Sequence, residues 1–107
     1  MIAGNLFSVA ACGLGAEHVS ALIATEQVRI ERIVSRAYAS PPGFWYDQEF
    51  AEWVVVLAGS AGIEFAGEKE PRTLAAGDYL GIPAHVRHRI AWTAVDRETV
   101  WLAVHYR

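Results

Sequence analysis

The sequence predicts an all-β domain, and three features indicate this fold class. Segments rich in Val, Ile, Trp and Tyr recur at short, regular intervals along the chain. Gly or Pro stands at the corners between these segments, for example in residues 40–43 and 58–62. Within residues 28–34, apolar and charged side chains largely alternate, as they do in a strand with one buried face. Short strands separated by such corners are typical of a β-sandwich or a β-barrel.

The individual elements follow from the same pattern. Residues 16–24 place Val19, Leu22 and Ile23 at positions i, i+3 and i+4, which predicts a short amphipathic N-terminal helix. Beyond it, strands are predicted at residues 28–34, 52–57 and 63–66, in a short segment ending at Leu74, and at residues 79–83, 88–92 and 99–106. Turns are predicted at residues 40–43, 58–62 and 67–71.

Length and charge restrict the class of protein. The 107 residues suffice for one domain, residues 1–107, and the hydrophobic fraction of 53% predicts a well-filled core. The net charge of −3, with Arg87 to Arg89 as the only basic cluster, gives no electrostatic basis for nucleic-acid binding, and no nucleic-acid partner is expected. No apolar run approaches the roughly 18–20 residues of a membrane span. The single cysteine, Cys12, cannot form an internal disulfide and is expected to be a small buried hydrophobe, so a cytoplasmic protein is predicted.

Two stretches have spacings that go beyond a general all-β pattern. In the first, Tyr46-Asp47-Gln48 is followed after three residues by Glu52, and after six more residues by Gly59. In the second, Gly77 is followed after five residues by Pro83-Ala84-His85, and after two more residues by His88. Residues 43–107 contain both stretches and all but one of the predicted strands.

These spacings resemble the two motifs of the cupin superfamily. The first cupin motif is His-x-His, then three or four residues, Glu, six residues and Gly; the second is Gly, five residues, Pro-x-Gly, two residues and His. The resemblance implies a double-stranded β-helix, or jelly-roll, barrel that holds a divalent metal ion. This chain is similar to a subgroup of small single-domain cupins that have Tyr-x-Gln in place of His-x-His.

The resemblance implies roles for particular residues. Gln48, Glu52 and His88 stand at metal-ligand positions, and Tyr46 stands where the first His of the pair would be. Zinc, manganese or nickel suits this nitrogen and oxygen ligand set better than calcium does, and iron is also compatible. His85 replaces the Gly of the second motif.

A reading of the residues alone supports an internal polar site. Tyr46, Gln48 and Glu52 share one strand face by parity, and His88, Ile90 and Trp92 share another. Buried polar groups on such faces need a metal ion or a hydrogen-bond network, because each unpaired group costs about 1–3 kcal/mol. The sequence leaves the roles of three residues open. Gln48 would be a weak ligand or a structural residue, and His85 and His105 would join the site only if the chain turns them inward.

The sequence therefore predicts a pocket for a metal ion and a small molecule inside the barrel. One function is a non-oxidative metal-dependent enzyme in which Tyr46 and Glu52 are catalytic, since one imidazole is too few for the usual oxygen-activating iron site. The alternative is a non-catalytic binding or sensor module. Residues 99–106 are apolar on both faces, which favours a homodimer that buries this strand or an adjacent edge strand.

Overall fold

The computed structural model describes all 107 residues, as eight β-strands and no helix. The strands are β1 (Ala16–Ala24), β2 (Val28–Arg36), β3 (Ala51–Ala58), β4 (Ser60–Phe65), β5 (Arg72–Ala75), β6 (Tyr79–Ile82), β7 (His88–Thr93) and β8 (Thr99–Tyr106). The all-β prediction is confirmed, and no helix is present that is long and apolar enough to span a membrane.

Two antiparallel sheets form the barrel. The larger has the strand order β1-β2-β8-β3-β6, and the smaller has the order β5-β4-β7. The core lies between them, because its buried side chains come from both sheets: Val54, Val56, Ala61, Ile63, Leu74, Ile82, Trp101 and Ala103. Strand β8 is the middle strand of the larger sheet, and Trp101 and Ala103 on its inner face are almost completely buried.

The predicted N-terminal helix is wrong, because residues 16–24 form strand β1. This strand pairs with β2 from Ala16 opposite Arg36 to Ala24 opposite Arg29. The hairpin turn is closed by Thr25, whose Oγ1 accepts the backbone N–H of Val28 at 3.0 Å. A bulge between Ala21 and Ile23 shifts the register, so the apolar residues that matched a helical spacing are distributed over a strand. Pairing with β2 has outweighed the local periodicity.

The connection between β3 and β4 is tighter than the five-residue turn predicted at residues 58–62. Gly59 alone separates the two strands, with a φ of 84° that favours glycine. A Cβ atom at this position would lie 2.7 Å from Cα of Thr99 and 2.8 Å from the backbone oxygen of Glu98. Gly59 is therefore required both by its φ and by the close approach of the chain at the start of β8.

The predicted inward face of Trp92 is wrong, because strand β7 contains a bulge. Its register with β4 shifts between Gly62 and Ile63, so that Trp92 opposes Gly62 whereas Ile90 opposes Ile63. This bulge reverses the alternation after Ile90: Thr93 is buried, and Trp92 is 38% exposed. Trp92 thus does not share the inward face of His88.

The N-terminal arm, residues 1–15, contacts the larger sheet. Nη1 of Arg32 on β2 donates to the backbone oxygen of Ser8 at 3.2 Å. The predicted burial of Cys12 is confirmed, since its side chain is 2% exposed and its backbone N–H donates to Oε1 of Glu98 at 3.2 Å. Strand β8 has β2 on one edge and β3 on the other, both within its own chain. The homodimer stays a prediction.

Candidate functional site

A cavity of about 270 Å³ lies inside the barrel. This volume is close to the lower end of the roughly 300–1,000 Å³ typical of small-molecule sites. Half of its lining is apolar, and the other half is polar or charged. The polar and charged lining residues are Glu17, Arg29, Glu31, Ser35, Gln48, Glu52, His88 and His105; the apolar and aromatic lining residues are Val19, Ile33, Tyr46, Val54, Ile63, Ile82, Ile90 and Trp101.

The structure brings the three predicted ligands together in this cavity. Oε1 of Glu52 lies 3.3 Å from Nε2 of His88, and Nε2 of Gln48 donates to the same oxygen at 3.3 Å. The side chains of Glu52 and His88 are 12% and 5% exposed. Glu52 is thus a nearly buried carboxylate shared by an imidazole and an amide.

Backbone pairing fixes the positions of these groups. Glu52, near the start of β3, is opposite Ile82 of β6 and His105 of β8. Tyr46 forms an isolated antiparallel bridge with His88, in which the Tyr46 N–H donates at 2.7 Å and the His88 N–H donates back at 3.2 Å. Their rings stack with centroids 5.4 Å apart. Residues 47–50 are irregular rather than a strand, so strand parity does not place Gln48. The bridge to His88 holds the backbone of Tyr46, and the N–H of His85 donates to the Gln48 carbonyl at 2.8 Å.

The two histidines that the sequence left open lie in different environments. His85 is outside the cavity: its Nδ1 lies 2.7 Å from Oδ1 of Asp47, and its side chain is 64% exposed. His105 is inside: its Nε2 lies 3.2 Å from Oε1 of Glu31 and 3.9 Å from Oε2 of Glu52. The parity of His105 with buried Trp101 and Ala103 was the available sequence signal, whereas nothing in the sequence indicated Glu31 as its partner.

In the Glu52–His88 pair, each group favours the charged form of the other. Burial acts to raise the pKa of Glu52, but the His88 hydrogen bond, the charges of His105 and His88 and the Gln48 hydrogen bond together lower that pKa below its ordinary value. Burial acts to lower the pKa of His88, but hydrogen bonds to Glu52 and to the Val86 carbonyl, and the charge of Glu52, leave that pKa raised. An ionised pair is therefore favoured in the folded, metal-free protein.

Because of this pair, we expect the stability of the metal-free protein to be greatest at mildly acidic pH. A lowered Glu52 pKa stabilises the fold above the ordinary value of 4.5, and this contribution is lost as the pH falls through the folded-state pKa. A raised His88 pKa stabilises the fold fully below 6.5, and that contribution is lost as the pH rises through the folded-state pKa. We expect the pair to contribute most between these two values.

Urea unfolding in EDTA between pH 4 and pH 9 measures this effect. The loss of stability above pH 6.5 should be smaller in His88→Gln than in the wild type, and unchanged in the control His85→Ala, which removes an exposed imidazole outside the cavity. Identical pH profiles for wild type and His88→Gln would contradict the assignment.

The fold and the cavity define a class: a small antiparallel β-barrel with a polar cluster between its two sheets. The cupin 2 family (Cupin domain) matches residues 39–105. The chain belongs to this cupin family, and it is a small single-domain cupin.

Solved structures agree with this assignment. A Ralstonia eutropha JMP134 protein, provisionally named a mannose-6-phosphate isomerase, is 50% identical, with a TM-score of 0.94 and coverage of 99% of this chain and 98% of its own. A cupin superfamily protein from Desulfitobacterium hafniense DCB-2 is 19% identical, with a TM-score of 0.74 over 91% of this chain and 83% of its own. An RmlC-like cupin from Shewanella frigidimarina is 16% identical, with a TM-score of 0.71 over 86% of this chain and 77% of its own. The last two show the fold alone. No curated protein matches the chain.

Proposed function

We propose that this cupin binds one divalent metal ion through Gln48, Glu52 and His88 and acts on a small metabolite in a non-oxidative reaction. The observation that carries this proposal is the orientation of His88. Its Nδ1 donates to the Val86 carbonyl at 2.8 Å, so a neutral imidazole has its lone pair on Nε2, 3.3 Å from the Glu52 carboxylate. Two electron-rich groups that face each other need a proton or a metal cation between them. A backbone carbonyl on the other ring nitrogen is the usual support for a histidine ligand.

The donor set fits a weakly held ion. An imidazole nitrogen, a carboxylate and an amide suit zinc, manganese or nickel, and cupins commonly bind metal ions. No group of three or more His, Cys, Asp or Glu side chains is arranged around a metal position. Because Gln48 offers only a neutral amide, two of the three proposed ligands, Glu52 and His88, are strong donors. Gln48 directs its amide nitrogen at Glu52 and must turn its oxygen inward to become a ligand. Binding is therefore expected to be weaker than at sites with three such ligands.

Tyr46 has the properties of a proton donor. Burial, followed by the negative charges of Glu17, Tyr38, Glu52 and Glu31, raises its pKa to about 12. The phenol thus keeps its proton at neutral pH and lines the cavity beside His88. A bound divalent ion would polarise a carbonyl or hydroxyl group of the metabolite. Tyr46 would then protonate oxygen or carbon of the metabolite during an isomerisation, elimination or hydrolysis, with Glu52 as the carboxylate ligand of the ion.

The charged residues that line the cavity indicate which kind of metabolite it would accept. The similar Ralstonia protein is named for a phosphorylated sugar, but Arg29 is the only Lys or Arg in this lining, and its Nε is bound to Glu31 at 3.0 Å. Three carboxylates, Glu17, Glu31 and Glu52, line the same cavity. This excess of negative charge favours a metal ion and a metabolite without a phosphate group.

One observation favours a second candidate function, a non-catalytic binding or sensor module. Glu52 already has His88, Gln48 and His105 as neighbours. The cluster is therefore largely satisfied without an ion and would serve as a binding surface for a small polar ligand. Metal content separates this candidate from the first one.

The test is metal binding by purified protein. We expect wild type to take up about one equivalent of zinc, manganese or nickel in titration calorimetry after EDTA removal, and His88→Ala to take up none. The control His85→Ala removes an exposed histidine that lies outside the cavity, and it should bind as wild type does. Equal, substoichiometric metal in wild type and His88→Ala would mean that the cluster is a hydrogen-bonded network and not a metal site.

A further inference from the structure

The outer face of the larger sheet, which points away from the cavity, is almost entirely apolar. On β2, β3 and β8 the neighbours of these side chains line the cavity or belong to the core, so the side chains between them lie on the opposite face. The strand register aligns them in rows that cross the sheet. One row consists of Ile23, Ile30, Val104 and Trp53, the next of Arg32, Leu102, Val55 and Tyr79, and a third of Val28, Tyr106 and Ala51.

The chain itself leaves much of this outer face accessible. Tyr79 is 64% exposed and Ile23 is 44% exposed, whereas Trp53 between them is half-buried. The rings of Trp53 and Tyr79 lie together, with centroids 5.5 Å apart. The N-terminal arm adds the exposed Phe7, because the carbonyls on either side of this residue accept from Nη1 of Arg32.

Charge distinguishes this face from the outer face of the smaller sheet. Arg32 is the only charged residue in the three rows, and its Nη1 donates to the Ser8 carbonyl of the arm at 3.2 Å. On the smaller sheet, Glu64 opposes Arg89 and forms an ion pair with it at 3.4 Å. An antiparallel sheet ordinarily presents polar side chains of this kind to water. The larger sheet presents apolar and aromatic side chains instead, which is the composition of the core of a protein interface.

We propose that a second copy of this chain packs its own larger sheet against this face, so that the two outer faces bury each other. Five strands about 4.8 Å apart and three rows about 6.8 Å apart cover roughly 500 Å² in projection. This area lies near the upper end of the roughly 300–600 Å² patches that monomers expose. The accessible area of an uneven face exceeds its projection, and it approaches the roughly 800 Å² that each partner contributes to a stable interface.

The lack of charge makes a second copy the occupant that fits. A two-fold dimer brings the same surface of both copies together, so a charge on this face would meet the same charge on the partner. The three rows contain no Asp, Glu or Lys, and Arg32 is already bound within its own chain. Homodimer interfaces are also more apolar than those of partners that associate only transiently. None of the residues in the rows lines the cavity, so this interface is independent of the proposed metal site.

Light scattering coupled to size-exclusion chromatography of the purified chain at about 20 µM tests the interface. We expect the wild type to have twice the chain mass of 11.7 kDa. Trp53→Lys should raise the dimer dissociation constant at least about 100-fold, because it places two symmetry-related charges in an apolar interface. Tyr79→Lys changes a side chain that is mostly exposed in the single chain, so it should weaken the dimer without disturbing the fold.

Two matched variants control for the added charge. Val95→Lys changes a side chain that is 65% exposed and lies outside the three rows, and Trp92→Lys changes a strand tryptophan in the smaller sheet. Both should remain dimers, and circular dichroism should show the wild-type fold in all four variants. A wild type of monomer mass at this concentration would overturn the proposal. So would a dimer that folded Trp53→Lys and Tyr79→Lys leave intact, because the contact would then lie on another surface, such as the free edge of β1. If Trp53→Lys does not fold, Tyr79→Lys decides alone.

Discussion

Replacing Glu52 by alanine is expected to lower the free energy of unfolding of the metal-free protein by about 3 kcal/mol, the effect of breaking a buried ion pair by removing one partner. The carboxylate is almost buried and has His88 at 3.3 Å and His105 at 3.9 Å. Its loss leaves His88 without an acceptor at Nε2 and removes the charge that supports the imidazolium. The same variant should lose metal binding and any activity.

Urea unfolding at pH 6 in EDTA measures this loss. Glu64→Ala is the matched control, because Glu64 is also a strand glutamate paired with a basic side chain, Arg89 at 3.4 Å, but is 31% exposed. A more accessible pair of this kind, partly screened by solvent, should contribute less, on the order of 1 kcal/mol. Glu52→Gln, which keeps the shape without the charge, should lie between the two. Equal small losses in Glu52→Ala and Glu64→Ala would show that the cavity cluster is solvated rather than structurally coupled.

Gly59→Ala is expected to produce the second large effect, a loss of about 3–5 kcal/mol that combines a left-handed backbone with overpacking. The φ of 84° strains any residue with a Cβ, and that atom would collide with the backbone of Glu98 and Thr99, which has no flexible end to move away. A displacement there separates β3 and β4 from the start of β8.

Gly67→Ala isolates the two contributions. Gly67 has nearly the same φ, 87°, but no atom lies within 4 Å of the Cβ position. The control should therefore lose only about 1–2 kcal/mol from backbone strain. Thermal and urea unfolding of both variants gives the difference, and equal losses would mean that the contact with Thr99 relaxes without cost.

Much of the barrel was predictable because strand alternation and corner residues act locally. Strand β8 was predicted with its observed bounds, and β2 and β7 within two residues, since β2 alternates apolar and charged side chains and β7 and β8 are rich in β-branched and aromatic residues. Strand β1 was not, because a bulge can give three apolar residues the spacing of a helix, and only its pairing with β2 decides between the two. The outward face of Trp92 depends on another bulge, which no local pattern specified.

The cavity shows the same division between local and distant information. The motif spacings located Gln48, Glu52 and His88, and the structure places the side chains of Gln48 and His88 around the Glu52 carboxylate. The inward turn of His105 and the outward turn of His85 depend on partners far away in sequence, Glu31 and Asp47 respectively. Glu31 lies on β2, outside the motifs, where a charged residue in an alternating strand is ordinarily expected to face solvent.

The central place of β8 has a consequence for how the molecule assembles in time. Strands β2 and β3 are not neighbours in the larger sheet; each hydrogen-bonds to β8, which comes last among the eight strands. Until β8 arrives, β2 and β3 both have an unpaired edge, and such an edge can associate with another chain. Joining strands so distant in sequence is also slow, because loop closure must precede the contacts that reward it. During refolding, insertion of β8 should therefore compete with aggregation, and dilution should favour insertion. A nascent chain faces the same competition until β8 has been made.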